Sequence, residues 1–495
     1  MALEVALCVT AAFLAVVYWF ISHQKLKHIP AAPHRIPLLG NSWNLDMTKC
    51  HLILTDWTKK LGPVFRIRLY NEEILVLNDY NSISAALMHC GTDVAGRPPM
   101  YRTAQYGRNK HSIVWQTYTP KLAFLRKEVL KSLNMYGSGL ERLEEKCTPE
   151  IKQLLKEFDD SGGKPFDPWD SIYNAICNVM LTLVLGTTMK PLNANFQKIK
   201  TMNFLFNDTF GSGRARRIDL LPWTRFFYDE CYQRLQEAMS IRNKFWQEQL
   251  PHINDKECED CVVKRMMTLL SEDKYKQYDI TETTVREVFT NLILAGTDTT
   301  ATALTSLLLL LLHYPEVQER MYDEIKTHIG DSRSASLSDR SSLPYCEATL
   351  LELLRLISHV PLAVPHYTIC DTEIDGLKVP ANMTVYINLW AMHHDSFWVD
   401  PWRFDPTRFL DENGQLLPST HENRRRLMVF GAGRRVCLGR SLAKNRLFLF
   451  AVSLVQRFRV VPEGPDLPEA DPRTFEMGLV LHPKHYKLSA IPRQS

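Results

Sequence analysis

Residues 430–439 read FGAGRRVCLG, one cysteine among three glycines and two arginines, with an apolar helical pattern directly behind it. A thiolate that ligates a metal needs a loop that approaches closely, donates backbone N–H to the sulfur and keeps water away. Gly431, Gly433 and Gly439 permit that tight backbone. Cys437, just before a helix start, also feels the positive end of that helix. Arg435, with Arg434 beside it, can pair with a carboxylate of a bound group. A lone cysteine in a glycine-rich turn is usually just a small buried apolar residue. The full spacing from Phe430, F-G-x-G-x-R-x-C-x-G, lifts Cys437 above that reading.

Moving outward, residues 440–458 predict a strongly apolar helix, and 474–481, TFEMGLVL, a strand or turn. Upstream, 283–313 is the longest apolar helical pattern, interrupted mid-way by Ala295-Gly296-Thr297-Asp298-Thr299-Thr300. A glycine and repeated hydroxyls weaken local i→i−4 bonding, so a kink or widened turn is expected there. Asp298 and Thr299 set an acid beside an alcohol, a pair suited to moving protons, or else to satisfying backbone groups in a bent helix. Glu352 and Arg355, three apart in YCEATLLELLRLI, share a helix face among apolar neighbours, which predicts a buried pair. Adjacent His393 and His394 point in different directions in most backbones, so no metal site is assigned with Asp395. Residues 64–78 read as two strands and 121–135 as an amphipathic helix with a basic face. Around 200–228, Gly211, Gly213 and Pro222 break an apolar and basic stretch into short pieces, either a surface loop or a lid touching a membrane.

The 495 residues carry a net charge of only +4, unlike a nucleic-acid binder. Eleven cysteines without regular spacing argue against a disulfide framework, and the isolated Cys258/Cys261 pair carries no metal or redox assignment. Residues 2–22 are nearly all apolar, long enough to span a bilayer, with Lys25 and Lys27 behind them. An uncleaved anchor over 1–24 is preferred to a signal peptide, because the positive charge follows the apolar run. Pro30, Pro33 and Pro37 stiffen 25–40 as a linker, leaving 41–495 as the main domain. The sequons at Asn207 and Asn382 mean little if the body is cytoplasmic.

The cysteine loop, A-G-x-D-T-T, E-x-x-R and Pro406-Thr407-Arg408-Phe409, in that arrangement, resemble microsomal cytochromes P450. The resemblance implies a mainly α fold with small β-sheets, haem b as cofactor and Cys437 as the axial iron ligand. It implies that Phe430, Gly431 and Gly439 shape the haem loop, and that Arg435, Arg126 and His366 meet the haem propionates. Leu122 stands where the family has a tryptophan, removing one propionate hydrogen bond. Thr299 is expected to hold a water in the oxygen-binding groove and Asp298 to relay protons inward. Arg408 should join Glu352 and Arg355 in a structural clamp, although Thr407 replaces the usual Glu.

The chain looks like the steroid 17-hydroxylase/lyase and aryl-hydrocarbon hydroxylase group through GRPPM at 96–100, DLLPW at 219–223 and YINLWAMHHD at 386–395. By that likeness Asn203 and Arg242 hold the far end of a steroid; the plain alternative is surface polarity. Tyr101, Asn291, Ala295, Ala363 and Val480 are expected along the pocket. The implied reaction is monooxygenation of a lipophilic substrate, a steroid before a foreign aromatic. Electrons would come from NADPH–cytochrome P450 reductase, with cytochrome b5 a further candidate, at the endoplasmic reticulum membrane. Lys127, Lys131, Arg434, Arg440 and Lys444 would receive that acidic donor. Intact Asp298 and Thr299 speak against a peroxide-rearranging relative and against a haem carrier or sensor without turnover.

Overall fold

A computed structural model describes Thr10 and residues 26–493, apart from 108–109, 134–137, 212, 228, 254–260 and 465–466. The anchor expected over 1–24 therefore falls, Thr10 aside, outside the described residues, as does Cys258.

Seven helices position the site: α1 Pro120–Leu133, α2 Trp169–Leu185, α3 Ala194–Gly211, α4 Glu230–Ile253, α5 Glu282–His313, α6 Pro344–Ile357 and α7 Arg440–Arg457. Helix α5 is the axis. It starts at a capping box in which Thr281 and Thr284 satisfy each other's backbone N–H. Among the described residues it is the one helix apolar and long enough to cross a bilayer, yet 72% of its most apolar window is buried in protein. That burial makes it a core helix, because α2, α6 and α7 pack around it. The structure differs from expectation at Ala295–Thr300, where α5 runs on as α-helix without a 3₁₀ or π turn. The loosening appears instead as side-chain bonds to carbonyls: Thr299 Oγ1 donates to Ala295 at 2.7 Å, and Arg446 Nη2 donates to Gly296 at 2.8 Å.

The sheet is small. Strands β1 Val64–Leu69, β2 Glu72–Leu77, β3 His366–Tyr367 and β4 Thr384–Ile387 lie in the order β1-β2-β4-β3. β1 and β2 form an antiparallel hairpin, β2 pairs with β4 in parallel, and β3 runs antiparallel to β4. The proline-rich segment lies along this sheet: Ala32 N–H donates to Arg66 O, Arg66 N–H donates to Pro30 O, both at 2.8 Å, and Leu26 and Ile29 are buried. The 200–228 stretch does break at its glycines and proline, into α3, a short helix Gly213–Leu220 and a turn at Pro222–Phe226. Residues 474–481 resolve into a tight hairpin, Glu476–Met477 against Leu481–His482, and a final strand Leu488–Pro492 pairs with Phe458–Pro462.

Candidate active site

The loop before α7 is shaped by steric need. Gly431 and Gly433 take φ of +66° and +63°, left-handed backbone that L side chains adopt only under strain. At Gly433 a Cβ would sit 1.8 Å from the Leu87 carbonyl oxygen, so only glycine fits. Gly439 has an ordinary φ and open space around it. The turn closes where Cys437 N–H donates to Phe430 O at 2.8 Å. Cys437 is accessible from one side but otherwise enclosed. Burial pushes its thiol pKa up, while the Gly439 N–H and the guanidiniums of Arg126 and Arg440 pull it down toward the thiolate.

Beside the loop stands a group of guanidiniums that act on one another. Arg435 donates Nε to Ala95 O at 2.7 Å and Nη2 to Gln116 O. Arg126, from α1, donates to Val436 O at 2.5 Å. Arg97 donates Nε to Val114 O at 3.1 Å and Nη1 to Val364 O at 3.1 Å and Pro365 O at 2.7 Å. Burial lowers all three, repulsion by neighbouring guanidiniums lowers Arg97 and Arg435 further, Arg435 to about 10, and no carboxylate among the described residues acts on any of them. His366 Nδ1 bonds Val94 O at 2.9 Å; burial first, then Arg97, drives its pKa down to about 3, so it is neutral. Arg435 Nη1 and Gln116 Nε2 are buried with no partner. Three cations and two orphaned donors require an anion with several oxygens, and the propionates of haem fit that requirement. Leu122 is fully buried in the main core and offers no bond, while Gln116 Nε2 is a buried donor without a partner and Arg97 is held on three carbonyls. Neither was singled out from the sequence, although Arg97 stands within GRPPM.

The clamp forms as expected and goes further. Arg355 grips Glu352 in a fork, 2.7 and 2.8 Å, with both side chains fully buried. Arg408 Nε adds a third bond at 3.2 Å, and the Asp405 N–H a fourth at 3.1 Å. Burial raises the Glu352 pKa against the pull of both arginines. Arg355 Nη1 donates to His393 O at 2.7 Å, and His393 Nε2 accepts from Met428 N–H at 3.2 Å, two residues before the cysteine loop. Since Nε2 accepts, Nδ1–H donates to Ser358 Oγ at 3.0 Å. His393 is thus a strut, and no group of metal-ligating side chains occurs among the described residues.

On α5, Asp298 is buried and its Oδ2 lies 3.4 Å from His482 Nε2, a neighbour that the sequence did not foretell. Ala295, on the same turn, is exposed. Asn291 accepts from Ser112 Oγ at 2.7 Å. A 110 Å³ cavity is lined by Met100, Trp115, Phe210, Ala363, Gly478 and Leu479, among others. Ala363 holds φ +52° there. Val480 is buried, and Tyr101 packs toward Tyr232 and Arg225. The surface reading of Asn203 and Arg242 does not hold, because both are buried. They engage separate partners: Asn203 Nδ2 donates to Tyr173 Oη at 2.9 Å, and Arg242 Nη1 donates to Glu287 Oε1 at 2.7 Å. Asn203 Oδ1 and Glu287 Oε2 are buried without partners, and burial pushes Glu287 up to about 7.

A mainly helical body, 57% helix, with an arginine-flanked cysteine loop defines the class of thiolate-ligated haem proteins. The cytochrome P450 family model matches residues 30–490, and the chain belongs to that family, haem-binding monooxygenases. It is similar to the steroid 17-alpha-hydroxylase/17,20 lyase of Rana dybowskii, 30% identical over 96% of this chain and 92% of the relative. The enzyme of the same name from Gallus gallus is 30% identical over 94% of this chain and 92% of its own. Cytochrome P450 2J1 of Oryctolagus cuniculus is also 30% identical, over 97% of this chain and 95% of its own length.

Proposed function

We propose that this chain hydroxylates a lipophilic substrate, most favourably a steroid, consuming O2, NADPH and one proton and yielding the alcohol, water and NADP⁺. The observation that carries it is the cluster of Arg97, Arg126 and Arg435 beside Cys437, on which no carboxylate among the described residues acts. Haem held there supplies the activation of O2. Cys437 would ligate its iron on a loop shaped by Phe430, Gly431 and Gly439, and the arginines with Gln116 would take its propionates; neutral His366, expected there from the sequence, has its one N–H donated to Val94 O and offers the propionates no proton. Glu352, Arg355 and Arg408 keep the loop in place through His393. Thr299, its hydroxyl hydrogen engaged by Ala295 O, accepts from a water in the groove, and Asp298 moves protons to that water. Asn203 and the Arg242–Glu287 pair, each with an unsatisfied oxygen, meet the polar end of the steroid.

Electrons come from NADPH–cytochrome P450 reductase, with cytochrome b5 as a second donor. Lys127, Arg434 and Arg440 are exposed to receive it. Lys131 is engaged by Glu128 at 2.7 Å, and burial lowers Lys444 to about 8, so both present less free charge. Leu38, Trp43, Trp223, Phe226 and Phe227 are exposed; with the 1–24 anchor they suit the endoplasmic reticulum membrane surface. A second reading, hydroxylation of planar foreign aromatics, is favoured by Trp115 stacked on Phe210, rings 5.3 Å apart, at the cavity. Difference spectra with steroids and polycyclic aromatics separate the two. A spin change with steroids, weakened in Asn203→Ala and Arg242→Ala, supports the first reading, and a response to aromatics alone overturns it.

A further inference from the structure

His482 closes a junction of three elements. Its Nε2 lies 3.4 Å from Asp298 Oδ2 and 3.1 Å from Asn207 Nδ2, and its Nδ1 lies 3.1 Å from Thr302 Oγ1, one turn beyond Asp298 on α5. Trp169 of α2 packs edge-on against the ring, centroids 5.4 Å apart. Asn207 belongs to α3, and its Oδ1 accepts from Leu479 N–H at 2.7 Å, which fixes the amide orientation. The same helix meets the C-terminal hairpin backbone to backbone: a Cβ on Gly211 would lie 1.9 Å from Gly478 C. So α3 is clasped to the hairpin by Asn207 and by two glycines in contact.

The hydrogen-bond inventory at Nε2 admits two states. With its amide fixed by Leu479, Asn207 presents N–H to Nε2, so Nε2 accepts and the ring proton sits on Nδ1, facing Thr302. Asp298 Oδ2 then faces a lone pair, an arrangement relieved only when a proton lies between the two. When Nε2 takes that proton, the imidazolium pairs with the Asp298 carboxylate, and the Asn207 N–H loses its acceptor. One proton therefore strengthens the Asp298 contact and removes one of the contacts of the clasp, the bond from Asn207 to His482.

We propose that His482 is a positioning residue that shares one proton with Asp298 and, through Asn207, couples its uptake to loosening of α3 against the C-terminal hairpin. The coupling rests on the reading of Asp298 as the proton-moving acid. The other titratable groups around the junction are His359, in the turn after α6, Tyr173 of α2 and Glu476 across the hairpin. His359 stays neutral, since burial and His482 lower it to about 4, and burial raises Tyr173 well above its usual value. Glu476 is exposed, and its carboxylate is screened by solvent.

The test is amide hydrogen exchange of the full-length haem protein at 205–211 and 476–482, corrected for intrinsic rates, from about pH 8 to about pH 5.5, the interval in which imidazoles change charge. Wild type should show exchange rising about fivefold as pH falls, the factor for one lost hydrogen bond. His482→Gln should abolish the step, Asp298→Asn should move it to lower pH, and Asn207→Ala should exchange fast at every pH. A flat wild-type profile, or a step that survives in His482→Gln, overturns the proposal. This readout involves no turnover. The proton-moving role of Asp298 fails separately, if Asp298→Asn retains wild-type turnover and solvent isotope effect.

Discussion

Two alanines, one at Gly431 and one at Gly433, separate backbone strain from steric exclusion in the cysteine loop. Both glycines have nearly the same positive φ, +66° and +63°. Left-handed backbone costs an L residue about 1–2 kcal/mol, and alanine recovers about 0.4–1 kcal/mol by restricting the unfolded chain. Gly431 has nothing within 4 Å of its virtual Cβ, so Gly431→Ala should destabilise by only about 1 kcal/mol. At Gly433 the same Cβ lies 1.8 Å from Leu87 O, well inside the 3.4 Å of an ordinary contact. Leu87 is buried, so the loop must move by roughly 1.5 Å, and overpacking of this kind adds about 1–3 kcal/mol. Gly433→Ala should thus lose about 3 kcal/mol and, because Cys437 lies four residues on, displace the thiolate as well. Urea unfolding reads the stability, and the carbon monoxide difference spectrum of the reduced protein reads the thiolate. Equal losses for the two variants, or a full thiolate-type band in Gly433→Ala, would refute the steric argument.

Glu352→Gln leaves the fully buried Arg355, and the partly buried Arg408, without their carboxylate, and a loss of about 3–5 kcal/mol in urea unfolding is expected. His51 has both ring nitrogens buried and unpartnered, edge-on to Trp390; His51→Phe should raise stability by about 1–3 kcal/mol, and a lower unfolding midpoint would count against it. Acid should destabilise the protein before its carboxylates titrate. Burial depresses His51 and His359 to about 4 and His366 and His394 to about 3, so the unfolded chain binds more protons below its ordinary histidine pKa of about 6.5. Their contribution is complete above that pH and is lost progressively as pH falls toward 4 and 3. Glu287, raised to about 7, works the other way, but one group against four only softens the slope. A urea midpoint constant from about pH 7 to about pH 5.5 would contradict this sum.

The cysteine loop, the Glu352–Arg355 pair and the long core helix were legible because each is local. Spacing of three or four residues states which side chains share a face. What escaped was set by contacts between distant parts of the chain. Arg97 is bonded to carbonyls 267 and 268 residues away, and His482 reaches Thr302 across 180. The widened turn expected at Ala295–Thr300 rested on local hydroxyls and a glycine, but α2 and α7 pack closely against the helix there, with Arg446 binding the Gly296 carbonyl. Arg242 reads as a surface charge until Glu287, set in an apolar helix, is seen to receive it.

The missing tryptophan shows how such distant contacts substitute for a motif. Leu122 adds apolar volume to the core and no donor, so the resemblance alone would predict a weaker hold on haem. The folded chain instead brings Arg97 and Gln116 to the same place, with Gln116 Nε2 buried and unsatisfied and Arg97 fixed on three carbonyls. A buried guanidinium held by neutral carbonyls and repelled by two others is costly without an anion. Cofactor and body should therefore be stabilised together. Gln116→Leu should leave the apoprotein as stable as before, or more so, while weakening retention of haem, and that opposition distinguishes a donor to the cofactor from a residue that only packs.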